Sequence, residues 1–118
     1  MKTRRCIFVV FILCMVSCSL FLVYAATSPE LQYGIGLIHE TRQDYHQARE
    51  WYEKAAAQGY ADAQCDLGVL YFKGYGVTQD YHQAREWFER AAAQGYARAQ
   101  ASLGAMYLEG YGVTQDYH

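Results

Sequence analysis

QDYHQAREWYEKAAAQGY, residues 43–60, returns 36 positions later as QDYHQAREWFERAAAQGY, residues 79–96. Only Tyr52/Phe88 and Lys54/Arg90 differ, and a third copy opens at Gln115. Near-identity at a period of about 20–50 residues marks a stacked repeat, whose units bury their apolar faces against one another. Such arrays act through the shape of their surface, so a binding face is sought before an active site.

Asp80 stands where a helix needs an N-cap, and Gln83 three residues on completes a capping box. Ala84, Trp87, Phe88, Ala91 and Ala92 then share one face at helical spacing, and Gly95 closes the segment. Upstream, Ala63, Leu67, Leu70 and Tyr71 form the stripe of another helix over Asp62–Lys73, ended by Gly74. Tyr75–Gln79 connects the two. Gly68 lies inside the first of these helices, where glycine costs about 1 kcal/mol relative to alanine. A close helix crossing is the expected compensation.

The full unit, residues 61–96, is therefore helix, short loop, helix, short loop. Residues 97–118 repeat Ala99, Gln100, Leu103, Gly104, Tyr107, Gly110, Gly112, Val113 and Asp116. They supply a first helix and the beginning of a second. The stripe Leu103, Met106 and Tyr107 is expected to lie partly open to water. In residues 29–60, Leu31, Gln32, Ile35 and Gly36 match Ala63, Gln64, Leu67 and Gly68. The connection there is four residues shorter, running from Thr41-Arg42 straight into Gln43-Asp44. The expected fold class is all-α, with about two and a half helix-turn-helix repeats over residues 29–118.

Before the repeats, Lys2, Arg4 and Arg5 precede an apolar run, Ile7–Val23, in the order of an export signal. Val23-Tyr24-Ala25 suits cleavage after Ala25, which makes residues 1–25 a signal peptide. Two other readings stay open. The run is about as long as the roughly 20 residues of a membrane span, so an uncleaved anchor is one. Met15-Val16-Ser17-Cys18 resembles a weak lipobox, which is the other. All three place the repeats outside the cytoplasm, periplasmic or secreted, or anchored facing outward.

These residues resemble the Sel1-like repeat, a subclass of the tetratricopeptide-like helical repeats. The pattern reads Ala61-x-Ala63-Gln64-x-x-Leu67-Gly68-x-x-Tyr71-x-x-Gly74-x-Gly76-Val77-x-x-Asp80, then Ala84, Trp87, Ala91-Ala92 and Gly95. The resemblance implies antiparallel helix pairs stacked into a right-handed superhelix, a tetratricopeptide-like solenoid. It also implies an adaptor that holds protein or peptide partners on a concave face. Exported bacterial members are associated with envelope processes, signalling and host interaction. A cysteine-rich branch, linked to penicillin binding, staples each repeat with a disulfide. Of the four cysteines here, only Cys65 lies beyond the leader, so that association does not carry over.

The chemistry available is sparse. Without Lys2, Arg4 and Arg5 the formal net charge moves from −2 to −5, against nucleic-acid binding. Gly74-Tyr75-Gly76 and Gly110-Tyr111-Gly112 lack the spacing and the preceding strand of a phosphate loop and read as turns. His46, His82 and His118 recur once per unit, but equivalent positions in stacked helix pairs stand about 20 Å apart, beyond one metal ion. Ser28 and Ser102 are the only serines beyond the leader, and no nucleophile or metalloprotease motif contains them. Cys65 reads as a buried helix residue, with pairing between chains as the alternative. No catalytic residue, cofactor or metal is called.

The copies disagree chiefly in their first helices. Asp62 becomes Arg98, Asp66 becomes Ser102, Val69 becomes Ala105, Phe72 becomes Leu108 and Lys73 becomes Glu109. Asp62, Asp66, Val69, Phe72, Lys73, Arg98 and Ser102 are therefore the candidate partner-binding residues, with drift on exposed positions as the alternative. The expected function is an exported adaptor without catalysis, touching membrane only through an uncleaved leader. A cell-wall enzyme or peptidoglycan- or β-lactam-binding protein is one alternative. A fragment of a longer repeat protein, or self-association through the incomplete third unit, is another.

Overall fold

The structure, a computed structural model, describes residues 2–111, with side chains throughout except at 2, 3, 21, 22, 25 and 26. Among the described residues there are six helices and no strand: α1 (Lys2–Thr27), α2 (Pro29–Thr41), α3 (Tyr45–Ala57), α4 (Ala61–Lys73), α5 (Tyr81–Ala93) and α6 (Ala97–Glu109). The apolar run is one continuous helix. Its described apolar side chains, Ile7 to Val16 among them, are exposed. It meets the repeats at α2, where Ser28 N–H donates to the Tyr24 carbonyl. The projection stretches the molecule to 82 × 27 × 17 Å. Among the described residues no helix is long and apolar enough to cross a membrane.

From α2 onward the helices pack in chain order. α3 lies on α2 and α5 on α4 within a unit, while α3 meets α4 and α5 meets α6 between units. The core is correspondingly split in two. Ala48, Tyr52, Ala55, Leu67 and Leu70 form one cluster, and Cys65, Ala84, Phe88, Ala91, Ala99 and Met106 form the next. α4 serves both, which is why six consecutive residues, Ala63 to Gly68, are buried.

The close crossing expected at Gly68 is present. A Cβ there would stand 2.7 Å from the Phe88 ring, and one at Gly36 would stand 2.5 Å from the Tyr52 ring. Both are closer than carbon atoms approach, so these two sites need glycine. The helix pairs are closed at their far ends by amides. Gln58 donates to the Gln32 side-chain oxygen at 2.9 Å, and Gln94 to that of Gln64 at 2.9 Å. Gln64 and Gln100 in turn donate to the Ala56 and Ala92 carbonyls of the preceding helix. Gln64, at the centre of the array, therefore serves two interfaces at once, which keeps buried polar groups paired.

The turns follow the caps with two departures. Gly74 ends α4 in the left-handed region, as expected. In the shorter first connection Gln43, lacking a glycine's freedom, takes that region at φ 61°. Asp80 accepts from the backbone of His82 and Gln83, but among the described residues no bond returns from the Gln83 side chain. Only the forward half of the expected capping box is thus formed. The longer loop packs backward: Gly76 lies on the Tyr45 carbonyl, where a Cβ would stand 2.5 Å away. Tyr75 stacks on Tyr45 with ring centroids 4.7 Å apart, and Tyr111 meets Tyr81 one unit later at 4.9 Å.

The apolar stripe of α6 is partly open, as expected. Met106 is buried with Phe88 and Ala91, and Leu103 packs partly against the same cluster, whereas Tyr107 is half-exposed. The reason is that α5 offers α6 a face of its own, so only the side turned away from α5 is uncovered.

Candidate functional site: the first-helix groove

The first helices α2, α4 and α6 share an open groove of about 510 Å³. Tyr33, Leu37, Glu40 and Thr41 of α2 line one flank, with Gln43 from the connection and Tyr45 from the start of α3, and Asp66 and Arg98 come from the next two units. Asp66 joins all three. Tyr33 donates its hydroxyl to Oδ2 at 2.8 Å, and Arg98 places Nη2 2.6 Å from Oδ1. Asp66 is 6% exposed, while the Arg98 side chain is 54% exposed. The half-buried Glu40 is held similarly by the Tyr52 hydroxyl.

The candidates picked by comparing the copies divide accordingly. Asp66 and Arg98 come together in the groove. Asp66 is therefore not an exposed position free to vary: it is a buried carboxylate tying units together, and the change of Asp62 to Arg98 supplies its cation. Asp62 accepts from the Tyr96 hydroxyl at 2.6 Å at the junction with the third unit. Val69 packs on the second core cluster, and Phe72 sits among Tyr81 and Tyr111 at 5.2 and 5.4 Å, so both are largely structural. Phe72 and Ser102 line a smaller hollow of about 140 Å³ beside Phe88 and Met106. The exposed Lys73 lies over the Tyr75 ring, and Ser102 donates to its own helix at the Arg98 carbonyl.

The α2 flank escaped the sequence comparison because that comparison matched the second and third units only. One signal was available. Tyr52, where the next unit has Phe88, goes with Glu40, where the next unit has Phe72. The hydroxyl is present where an acceptor exists and absent where it does not.

Electrostatics single out Asp66. Burial raises its carboxyl above the ordinary range, against the opposing pulls of the Tyr33 hydroxyl and Arg98. Arg98 stands half in solvent, so its attraction is screened and burial prevails. A carboxyl with a raised folded pKa binds its proton more readily folded than unfolded. Its contribution to stability is greatest below the ordinary aspartate pKa and falls as pH rises through the folded value. Asp66→Asn removes the buried charge and keeps an acceptor for Tyr33. Its melting temperature minus that of the native chain is expected to grow as pH rises from about 4 to 7. A difference constant across that window would assign the titration elsewhere.

Cys65 is fully buried, and burial pushes its thiol up to about 11, so it stays protonated at neutral pH and unreactive. Among the described residues no group of histidine, cysteine or acidic side chains is arranged to hold a metal ion. His46 lies 3.7 Å from Glu50 and His82 is exposed, while His118 lies outside the described residues.

Antiparallel helix pairs in register, joined by a repeated glutamine and a glycine-to-ring crossing, define a helical-repeat solenoid of the two-helix kind. The Sel1 repeat matches residues 29–60, 61–96 and 97–118, and the chain belongs to the Sel1 repeat family. Among solved structures it is similar to a protective antigen present in uropathogenic Escherichia coli strains displaying an SLR fold. That match has 44% identity and a TM-score of 0.74, and covers 75% of this chain and 20% of that one. It is also similar to a Sel1 repeat protein from Oxalobacter formigenes, at 34% identity and a TM-score of 0.73, covering 78% of this chain and 40% of that one. The chain thus spans a fifth and two-fifths of these relatives' lengths. No curated protein matches it. The family and fold are those of a protein-interaction scaffold.

Proposed function

We propose that the chain is an exported scaffold that holds a protein partner in the first-helix groove and performs no catalysis itself. The observation that carries this is the groove, which crosses three units and contains Asp66 and Arg98, two of the positions at which the copies differ. Leu37 and Thr41 are exposed on its flank, so the groove presents side chains that no internal packing requires. Export rests on the basic and apolar order of the leader, with the partner in the bacterial envelope.

Asp66 is too buried for charge reversal to test this cleanly. Leu37→Glu and Thr41→Lys are suitable because both side chains are exposed. Immobilised residues 26–118 are expected to capture an envelope protein that both variants lose by about tenfold, or about 1.4 kcal/mol. A captured protein indifferent to both would place the contact outside the groove. The N-terminal sequence of the exported chain is expected to start at Ala26, and an intact leader would identify an anchor.

A further inference from the structure

The first-helix groove holds more acid than base. Among the described residues that line it, Glu40 and Asp66 are carboxylates and Arg98 is the one cation. Arg98 is engaged with Asp66 at 2.6 Å, which leaves Glu40 as the surplus charge. Among the described residues no lysine, arginine or histidine forms an ion pair with Glu40. Arg42, two positions on, does not line the groove. Glu40 is nonetheless half-buried and held in place by the Tyr52 hydroxyl. An ionised carboxylate accepts at about four lone-pair sites, and Tyr52 is the one described donor on this one. The surplus is felt across the groove: burial, and less strongly the Glu40 charge, raise the Asp66 carboxyl.

The walls are flat and fixed. Tyr33 packs its ring 5.5 and 5.3 Å from those of Tyr52 and Tyr60, and Tyr45 stacks on Tyr75 at 4.7 Å. Thr41 and Gln43 add neutral oxygens to the same lining. A planar cation with several N–H donors answers this set. A guanidinium stacks on aromatic faces and meets a carboxylate through two parallel donors, whereas an ammonium is a compact, strongly hydrated point charge. We propose that the groove seats an arginine side chain of the partner protein, its guanidinium on Glu40 and against the tyrosine wall. Leu37, exposed on the same flank, is left for an apolar residue of the same segment. The proposal rests on the groove being the partner site and adds the chemistry of what enters it.

The probe is the blocked tripeptide acetyl-Gly-Arg-Gly-amide, titrated into the full chain and followed by NMR line shifts. Saturable binding is expected. Citrulline in place of the arginine, nearly isosteric but uncharged, is expected to weaken it by about tenfold or more, a change that leaves the chain untouched. Lysine in its place is expected to bind more weakly than arginine. Glu40→Gln in the chain is expected to lose about tenfold, while its amide oxygen still accepts from Tyr52 and keeps the melting temperature near the native value. No saturable binding, or binding indifferent to citrulline, to lysine or to Glu40→Gln, overturns the proposal. Free arginine binding as tightly as the tripeptide overturns it as well, because the occupant would then be a small molecule. The groove reading fails separately. A captured protein lost by Leu37→Glu and Thr41→Lys but kept in full by Glu40→Gln overturns the arginine seat and leaves the groove as the partner site.

Discussion

Tyr52→Ala is expected to cost about 3–5 kcal/mol, the largest loss from any single substitution considered. The side chain is wholly buried, its ring lies on the backbone of Gly36 and 5.5 Å from Tyr33, and its hydroxyl meets Glu40. Removing it opens a cavity between α2 and α3 that neither helix can fill, because small alanines already line the contact. Glu40 is also left without its donor. A small domain has a net stability of only about 5–15 kcal/mol, so the first unit should unfold at low urea or in water. Tyr52→Phe, which reproduces the Phe88 ring, should cost only about 0.5–1.5 kcal/mol for the hydroxyl. Urea denaturation of the two variants separates cavity from hydrogen bond. A Tyr52→Ala midpoint near that of Tyr52→Phe would show that the ring does not hold the pair.

Gly68→Ala and Gly104→Ala should move stability in opposite directions, although the two glycines are equivalent in the repeat. At Gly68 the new methyl would meet the buried Phe88 ring at 2.7 Å, and overpacking of this kind costs about 1–3 kcal/mol. The intrinsic gain of alanine over glycine in a helix, about 1 kcal/mol, offsets only part of it. At Gly104 the methyl would meet nothing among the described residues, so that gain of about 1 kcal/mol should appear almost in full. Paired thermal melts decide the matter. Shifts of the same sign would mean that ring contact is not what the glycine serves.

The repeat and its helices were legible because both rest on local rules. Asp80 and Gly74 cap and close as their chemistry demands, and the cost of a glycine inside a helix foretold the close crossing at Gly68. The groove was less legible, for a physical reason. Comparing copies finds positions that vary, but variation at an interface between units has a structural origin as readily as a functional one. Asp66 looked like a tuned surface residue. Its partners, Tyr33 and Arg98, lie one unit to either side, and only three-dimensional stacking brings them together. Glu40 and Leu37 were invisible to the comparison because they stand in the unit whose connection is shorter. The pairing of Tyr52 with Glu40 against Phe88 with Phe72 shows that such coupling leaves a trace in sequence, once equivalent helices are aligned separately from their loops.

The backward-packed loops have a consequence for inheritance. Tyr75 grips Tyr45, and Tyr111 grips Tyr81, each reaching from one unit to the unit before it. The second unit thus offers a tongue on one side and a seat on the other, and the two fit head to tail in a single direction. An open-ended contact of this kind sets no limit on its own number. A gene segment of 36 codons, duplicated or deleted between equivalent points, would rejoin each tongue to a seat of unchanged shape. Arrays of this design can therefore lengthen or shorten in whole steps over generations without any interface having to be reinvented. The near-identical tracts at 43–60 and 79–96 have the form that such a step would leave.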